Sequence, residues 1–299
     1  MKRVALIIVS LLVLAACGSS SSGGSGSANL NVVAAENFWG SIATQIAGSQ
    51  ATVHSIIVNP ATDPHSYEPA AQDGRALATA QLAIVNGVGY DPWAPKLLDA
   101  NPVSGRITLT VGDLLGLHEG DNPHRWYDPA NVDTVAQTIA KDLGQLDPKH
   151  ASYFNAQLKA FETTGLAQYD RLIAQISSGY AGVPVGASES IFALQAPALH
   201  LKLVTPYSFM KAISEGTEPS AQDIITIQHQ LTDRQIKVWI YNSQNATPQI
   251  QRLNQLARAH GIPIATITET LDPPTASFQQ WQASQLQRIA QALRQATGH

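Results

Sequence analysis

The chain contains 299 residues, of which 44% are hydrophobic and only 13% are charged, and its formal net charge is −4. This length and hydrophobic content suffice for one large domain or two of medium size, and they argue against wholesale disorder. The slightly acidic balance argues against a nucleic-acid-binding protein, which needs a basic surface to contact phosphates.

The N-terminus has the pattern of an export signal. Lys2 and Arg3 precede an apolar run over residues 4–16, which is too short to span a bilayer because a helix needs about 20 residues to do so. The run ends in Leu-Ala-Ala-Cys, which resembles a bacterial lipobox, and Cys17 is the only cysteine of the chain. We therefore predict a signal peptide over 1–16 and an extracytoplasmic protein anchored to the cell membrane through lipidated Cys17. A single cysteine also excludes an internal disulfide and a cysteine-based zinc site.

Beyond a flexible Gly/Ser-rich tether that includes Cys17 and ends at residue 29, short apolar runs alternate with helix-like segments. This alternation is typical of an α/β fold with parallel sheets. The predicted strands are 31–35, 53–58, 82–85, 183–187, 201–204, 236–241 and 264–267. The long interval between the third and the fourth strand predicts two lobes.

A helical pattern fills the last third of this interval. Apolar residues at spacings of three and four follow Pro148, and Gly179 marks an end to the pattern. A helix of about 30 residues would be roughly 45 Å long. We predict that residues 147–178 form a stiff helix between an N-terminal lobe (30–146) and a C-terminal lobe (179–299). The alternative is a surface helix packed on one domain.

Two of the nine histidines follow a proline in a turn-rich segment. His65 lies in Asp-Pro-His-Ser-Tyr-Glu-Pro (63–69), and His124 lies in Asn-Pro-His-Arg-Trp (122–126). A preceding proline restricts the backbone, and a neutral imidazole nitrogen is a common ligand for divalent metals. These two histidines are therefore candidate metal ligands, although either can also be an ordinary solvated residue. The sequence contains no HExxH, GxSxG or Walker-type phosphate-loop motif.

Both segments resemble motifs of a known family, the zinc/manganese solute-binding lipoproteins of ABC importers (cluster A-I). Residues 63–69 are similar to its DPHxYEP motif, and residues 123–126 are similar to its PHxW motif. Four further stretches match in the same order, namely 35–40, 86–91, 218–220 and 268–270. The resemblance implies two α/β lobes, each with a mainly parallel sheet and flanking helices, joined by one long rigid helix.

The resemblance also implies four metal ligands, two from each lobe, in the cleft between them. The first two correspond to His65 and His124. The third, a His or Glu after a strand of the C-terminal lobe, corresponds to Glu189, and the acidic fourth corresponds to Glu269. This chain departs from the commoner patterns by offering glutamate at both of the later positions. Asp272 is a nearby competitor for the fourth position.

The implied function is that of a monomeric receptor that binds zinc or manganese and delivers it to an ABC permease, without catalysis and without nucleic acid. Two imidazoles and two carboxylates would bring a charge of −2 to the divalent cation and leave the bound site near neutral. Residues 117–121 contain one histidine in place of the long histidine-rich loop of many zinc-specific relatives. The choice between zinc, manganese and iron therefore stays open. A secreted metallohydrolase, or a cell-surface adhesin or scaffold with an incidental metal site, is the alternative.

Overall fold

The computed structural model describes residues 29–299. The predicted signal peptide, Cys17 and the tether before residue 29 lie outside the described residues. Among the helices that the structure describes, none is long and apolar enough to cross a membrane.

The N-terminal lobe contains one sheet of four parallel strands in the order β2-β1-β3-β4. The strands are β1 (Leu30–Glu36), β2 (Ala51–Ile57), β3 (Leu82–Val85) and β4 (Ile107–Thr110). The central strands β1 and β3 are almost fully buried, as expected for a parallel sheet that is covered on both faces. The helices of this lobe are α1 (Asn37–Ala47), α2 (Ala71–Leu77), α3 (Trp93–Ala100), α4 (Val111–Leu114) and α5 (Pro129–Leu146).

The segment that links the two sheets is helical, but it is not one regular α-helix. It consists of a 3₁₀ turn (Pro148–His150), α6 (Ala151–Ala160), a π-helical turn (Phe161–Gly165) and α7 (Ala167–Gly179). In the π-helical turn, the backbone N–H of Leu166 donates to the carbonyl oxygen of Phe161, five residues earlier. This turn explains why the apolar pattern, otherwise spaced by three or four, widens to five between these two residues.

The C-terminal lobe repeats the same sheet. Its four parallel strands are arranged in the order β6-β5-β7-β8. They are β5 (Pro184–Ala187), β6 (Lys202–Leu203), β7 (Val238–Asn242) and β8 (Ile264–Ile267). The helices are α8 (Ile191–Gln195), α9 (Tyr207–Ser214), α10 (Ala221–Thr232), α11 (Pro248–Ala259) and α12 (Phe278–Thr297). The predicted two-lobed α/β fold with parallel sheets is thus confirmed.

The two lobes share one hydrophobic core, and this core fixes how the strand ends face each other. Buried residues of β1, α1, α5 and α7 and of the strands β5, β7 and β8 belong to it. A smaller core covers the other face of the first sheet, between β1, β3, α2 and α3. Functional side chains of parallel α/β sheets come from the carboxyl ends of their strands. Here β1 ends at Glu36, and Glu189 and Glu269 follow the ends of β5 and β8 by two residues.

Candidate metal site

His65 lies in a short 3₁₀ turn, Pro64–Ser66, that Asp63 caps. One carboxylate oxygen of Asp63 accepts the backbone N–H of His65 at 2.9 Å and lies 3.1 Å from Nδ1 of its ring. The hydrogen bond from His65 lowers the pKa of Asp63 to about 2. Burial alone would lower the pKa of His65, but the contact with Asp63 and the charge of Glu269 outweigh it and raise that pKa. Asp63 therefore orients the imidazole, whose side chain is 30% exposed.

His124 is the second predicted ligand, and its side chain is only 1% exposed. Its Nδ1 lies 2.7 Å from Oδ1 of Asn122, and its Nε2 lies 3.3 Å from Oε1 of Glu269. Two ligands of one tetrahedral ion, each bound at about 2.1 Å, would be roughly 3.4 Å apart. The pair His124–Glu269 therefore has the spacing of two ligands that share a metal ion. Burial lowers the pKa of His124, which favours the neutral, ligating form of the ring.

Glu269 follows β8 and contributes to the cleft from the C-terminal lobe. Gln244 holds its backbone, because Oε1 of Gln244 accepts the N–H groups of Glu269 at 2.7 Å and Thr270 at 3.0 Å. Burial would raise the pKa of Glu269, but the hydrogen bond and charge of His124 lower it and favour the carboxylate. Asp272, the competing candidate, is exposed and does not contact His124, whereas the side chain of Glu269 is 16% exposed.

Glu189, the third predicted ligand, follows β5 and is buried. Its Oε2 accepts a hydrogen bond from Nδ2 of Asn242 at 2.9 Å, while its Oε1 has no hydrogen-bond partner among residues 29–299. Burial and the charge of Glu269 both raise the pKa of Glu189. A buried carboxylate oxygen without a partner costs free energy unless a proton or a cation compensates it. Glu189 therefore has a free oxygen that a cation can use.

Two cavities place three of the four predicted ligands in one cleft. The first, of about 240 Å³, is lined by His65 and Glu269 together with residues 214–216 of the C-terminal lobe. The second, of about 280 Å³, is lined by His65 and His124 together with Ser190. His65 thus lines both cavities, whereas Glu189 lines neither.

The arrangement is not that of a completed four-ligand site. Of the four predicted ligands, only His124 and Glu269 are in direct contact. Within residues 29–299, no three His, Cys, Asp or Glu side chains are grouped so that they could hold one metal ion. His65 and Glu189 would have to approach this pair before all four could share an ion.

Two residues without a role in the sequence analysis also belong to the surroundings of the site. The ring of Tyr90 packs edge-on against His65 and His124, with centroid distances of 4.8 Å and 5.8 Å. Glu36 is fully buried, and neither carboxyl oxygen has a hydrogen-bond partner in the described part of the chain. Burial, together with the charges of Asp91 and Glu269, raises the pKa of Glu36 well above its usual value. The sequence signal that could have identified Glu36 is its position as an acidic residue at the carboxyl end of a buried strand.

A family model described as zinc-uptake complex component A, periplasmic (ZnuA) matches residues 32–292. The chain is 31% identical over 254 residues to the metal ABC transporter substrate-binding lipoprotein FimA of Streptococcus parasanguinis, an alignment that covers 79% of this chain and 78% of that protein. It is 33% identical over 171 residues to the manganese-binding lipoprotein MntA of Halalkalibacterium halodurans. That second alignment covers 54% of this chain and 56% of MntA, so it spans little more than half of either protein.

Solved structures show the same fold. A manganese-bound periplasmic metal-binding protein from Candidatus Liberibacter asiaticus superposes with a TM-score of 0.73. The two chains are 21% identical, and the superposition covers 89% of this chain and 100% of the other. A crystal structure of ZnuA superposes with a TM-score of 0.71 at 21% identity and covers 90% of this chain and 99% of the other.

Proposed function

The chain belongs to the family of periplasmic zinc-uptake components (ZnuA), and we propose that it is an extracytoplasmic receptor that binds a divalent transition metal and delivers it to an ABC import permease. The metal is its transported substrate. The observation that carries this proposal is the contact between Nε2 of His124 and Oε1 of Glu269, one group from each lobe, at the spacing of two ligands of one ion.

The complete site would contain His65, His124, Glu189 and Glu269. Two neutral imidazoles and two carboxylates neutralise a divalent cation and so reduce the cost of burying it. Since His65 and His124 come from one lobe and Glu189 and Glu269 from the other, binding of the ion favours the arrangement in which the lobes are drawn together. A permease can recognise that arrangement as the loaded state.

Zinc and manganese both suit this donor set. Equal numbers of imidazole and carboxylate ligands bind zinc and also accommodate manganese or ferrous iron, although zinc is bound more tightly in general. The names of the relatives point to the same group of metals, because MntA is named for manganese and the family for zinc uptake. We therefore propose a divalent transition metal of this group as the cargo.

The remaining proposals concern the state of the protein in the cell. We propose a monomer that is anchored by a lipid on Cys17, with residues 30–146 and 179–299 as the two lobes and residues 147–178 as the link. The receptor is proposed to have no catalytic activity, because four protein ligands would leave a tetrahedral zinc ion no open position for a substrate or water.

Calorimetry with zinc and with manganese tests the proposal. The wild-type protein is expected to bind one ion, and His65→Ala and His124→Ala are expected to weaken binding strongly. His229→Ala is the matched control, because His229 lies exposed on α10, away from the cleft. Absence of binding by the wild type, or equal binding by all four proteins, would refute the proposed site and favour an adhesin or scaffold. A hydrolase screen of the zinc-loaded protein tests the metallohydrolase alternative.

A further inference from the structure

The side chain of Asn122 connects a ligand segment of one lobe to a ligand segment of the other. Its Oδ1 lies 2.7 Å from Nδ1 of His124 and accepts the backbone N–H of His124 at 3.2 Å. Its Nδ2 donates a hydrogen bond to the carbonyl oxygen of Ser190 at 2.7 Å. Ser190 directly follows Glu189 in the chain, so one amide group spans from one predicted ligand to the neighbour of another.

These contacts fix the orientation of the amide and the tautomer of the histidine. The carbonyl oxygen of Ser190 can only accept a hydrogen bond, so it must face the NH₂ group of Asn122. The backbone N–H of His124 can only donate, so it must face Oδ1. Nδ1 of His124 lies against the same oxygen and must therefore carry the proton of the neutral ring. When the ring is neutral, its lone pair is therefore on Nε2, the nitrogen that lies 3.3 Å from Oε1 of Glu269 and that a metal ion would use.

The other predicted histidine ligand has a related but different partner. Asp63 precedes His65 by two residues, as Asn122 precedes His124, and it contacts the backbone N–H and Nδ1 in the same way. A carboxylate has no N–H group to donate, whereas an amide has two. At position 122 an amide, unlike a carboxylate, can therefore orient the imidazole and also donate to Ser190 in the opposite lobe.

The hydrogen bond between Asn122 and Ser190 joins the two lobes at the cavity itself. Asn122 and Ser190 line the 280 Å³ cavity together with His65 and His124, so their hydrogen bond lies at the cavity that both histidines face. Another hydrogen bond crosses at this cavity, from Nζ of Lys211 to the carbonyl oxygen of Gly120, whereas the hydrogen bond from the hydroxyl of Tyr127 to the carbonyl oxygen of Thr268 is buried away from it. Separation of the ligand segments at the cavity has to break the Asn122–Ser190 bond, whereas the buried hydrogen bond can persist.

We propose that Asn122 is a positioning residue with two functions: it holds His124 in the tautomer that ligates through Nε2, and its bond to Ser190 retains the bound ion by joining the two lobes across the cleft. This inference rests on the proposed metal-binding function. It adds a residue that controls the rate of metal release without ligating the metal.

The test compares Asn122→Asp and Asn122→Ala with the wild type, using zinc as the probe and the full-length chain. The release rate is measured by stopped-flow mixing of the loaded protein with a strong chelator. The tautomer of His124 is read from its ring ¹⁵N shifts. Asn122→Asp keeps the oxygen that faces His124, loses the donor to Ser190 and adds a negative charge near the cation. The added charge alone would slow release, so faster release by this variant reports the loss of the cross-cleft bond.

We expect Asn122→Asp to release zinc about tenfold faster than the wild type, which corresponds to one hydrogen bond of roughly 1.4 kcal/mol, and to retain the Nδ1–H tautomer. Asn122→Ala is expected to lose the tautomer preference and to bind zinc about 10–100-fold more weakly. Lys211→Met is the matched control, because it removes a cross-cleft bond to the carbonyl oxygen of Gly120 that contacts neither histidine.

Unchanged or slower release by Asn122→Asp overturns the retention function. An unchanged tautomer in Asn122→Ala overturns the orienting function. If the wild type binds neither zinc nor manganese, the proposed function itself fails and this inference fails with it. Wild-type binding with unaltered Asn122 variants refutes only the inference.

Discussion

The hydroxyl of Tyr127 donates a hydrogen bond of 2.7 Å to the carbonyl oxygen of Thr268, the residue that directly precedes Glu269. The same hydroxyl lies 3.1 Å from Oε1 of Gln285, which also accepts the backbone N–H of Thr268 at 2.6 Å. Tyr127 is three residues after His124. This buried hydrogen bond therefore joins the chain segment of His124 to the chain segment of Glu269, the two residues that contact each other across the cleft.

We expect Tyr127→Phe to destabilise the protein by about 1–3 kcal/mol, because it leaves the buried carbonyl oxygen of Thr268 without this donor. Urea unfolding of the metal-free protein measures the change in the free energy of unfolding. Tyr153→Phe is the control, since the hydroxyl of Tyr153 contacts Ser49 in an exposed position and its removal should cost much less. Equal stability of Tyr127→Phe and wild type would show that the contact between the lobes contributes nothing measurable.

Most of the fold could be predicted from the sequence because both sheets consist of short apolar strands in regular alternation with helices. The strand over residues 82–85 was predicted with the bounds that the structure has, and so was the strand over 264–267. Strand β4 was missed because its alternating Ile-Thr-Leu-Thr sequence is only partly buried at the sheet edge. The linking helix was predicted as one regular element because its apolar spacing differs from three or four at the π-helical turn alone.

The surroundings of the site were harder to predict, because they depend on contacts between remote segments. His65 and His124 were recognisable since the Asx-Pro-His pattern that orients each of them is local in sequence. The partner of Asn122 is Ser190, 68 residues away, and no spacing in the sequence indicates that contact. The raised pKa of Glu36 could not be predicted, because the sequence does not show which other carboxyl groups the fold places near the end of β1.

The fourth ligand can be assigned by comparing Glu269 with Asp272. We expect Glu269→Gln to weaken zinc binding by more than about 100-fold, since loss of a direct ligand exceeds the effect typical of its outer partners. Asp272→Asn should bind zinc as the wild type does, because Asp272 is exposed and does not contact His124. Calorimetric titration of both variants measures the difference. A strong loss in Asp272→Asn together with normal binding by Glu269→Gln would reverse the assignment.

Metal binding is expected to release protons in a pH-dependent way. Burial raises the pKa of Glu189, so we expect this carboxyl to hold a proton at neutral pH in the metal-free protein and to lose it when it ligates. Zinc affinity should therefore increase with pH until the raised pKa of Glu189 is passed. Calorimetry in two buffers of different ionisation enthalpy gives the number of protons released.

The number of protons that Glu189→Gln releases on zinc binding shows whether Glu189 is the group that loses the proton. This variant should release about one proton fewer than the wild type at pH 7, because an amide has no proton to lose in this range. Glu119→Gln, at an exposed position, should release as many protons as the wild type. If Glu189→Gln and wild type release equal numbers, Glu189 is already ionised in the metal-free protein or does not ligate.

Glu36 is expected to make the metal-free protein less stable as the pH rises. Its pKa in the folded state lies well above 4.5 because of burial and the neighbouring charges of Asp91 and Glu269. The folded state therefore binds this proton more tightly than the unfolded state does, and the free energy of unfolding decreases as the pH rises from about 4.5 towards the raised pKa. Glu36→Gln removes this titration while it preserves the shape of the side chain.

The difference in free energy of unfolding between Glu36→Gln and wild type should shift in favour of the variant as the pH rises from about 4.5 to about 7.5, because only the wild type loses a proton-linked contribution over this range. Urea unfolding with a chelator present measures this difference at each pH. A difference that stays constant with pH would mean that the carboxyl of Glu36 titrates with its ordinary pKa in spite of its burial.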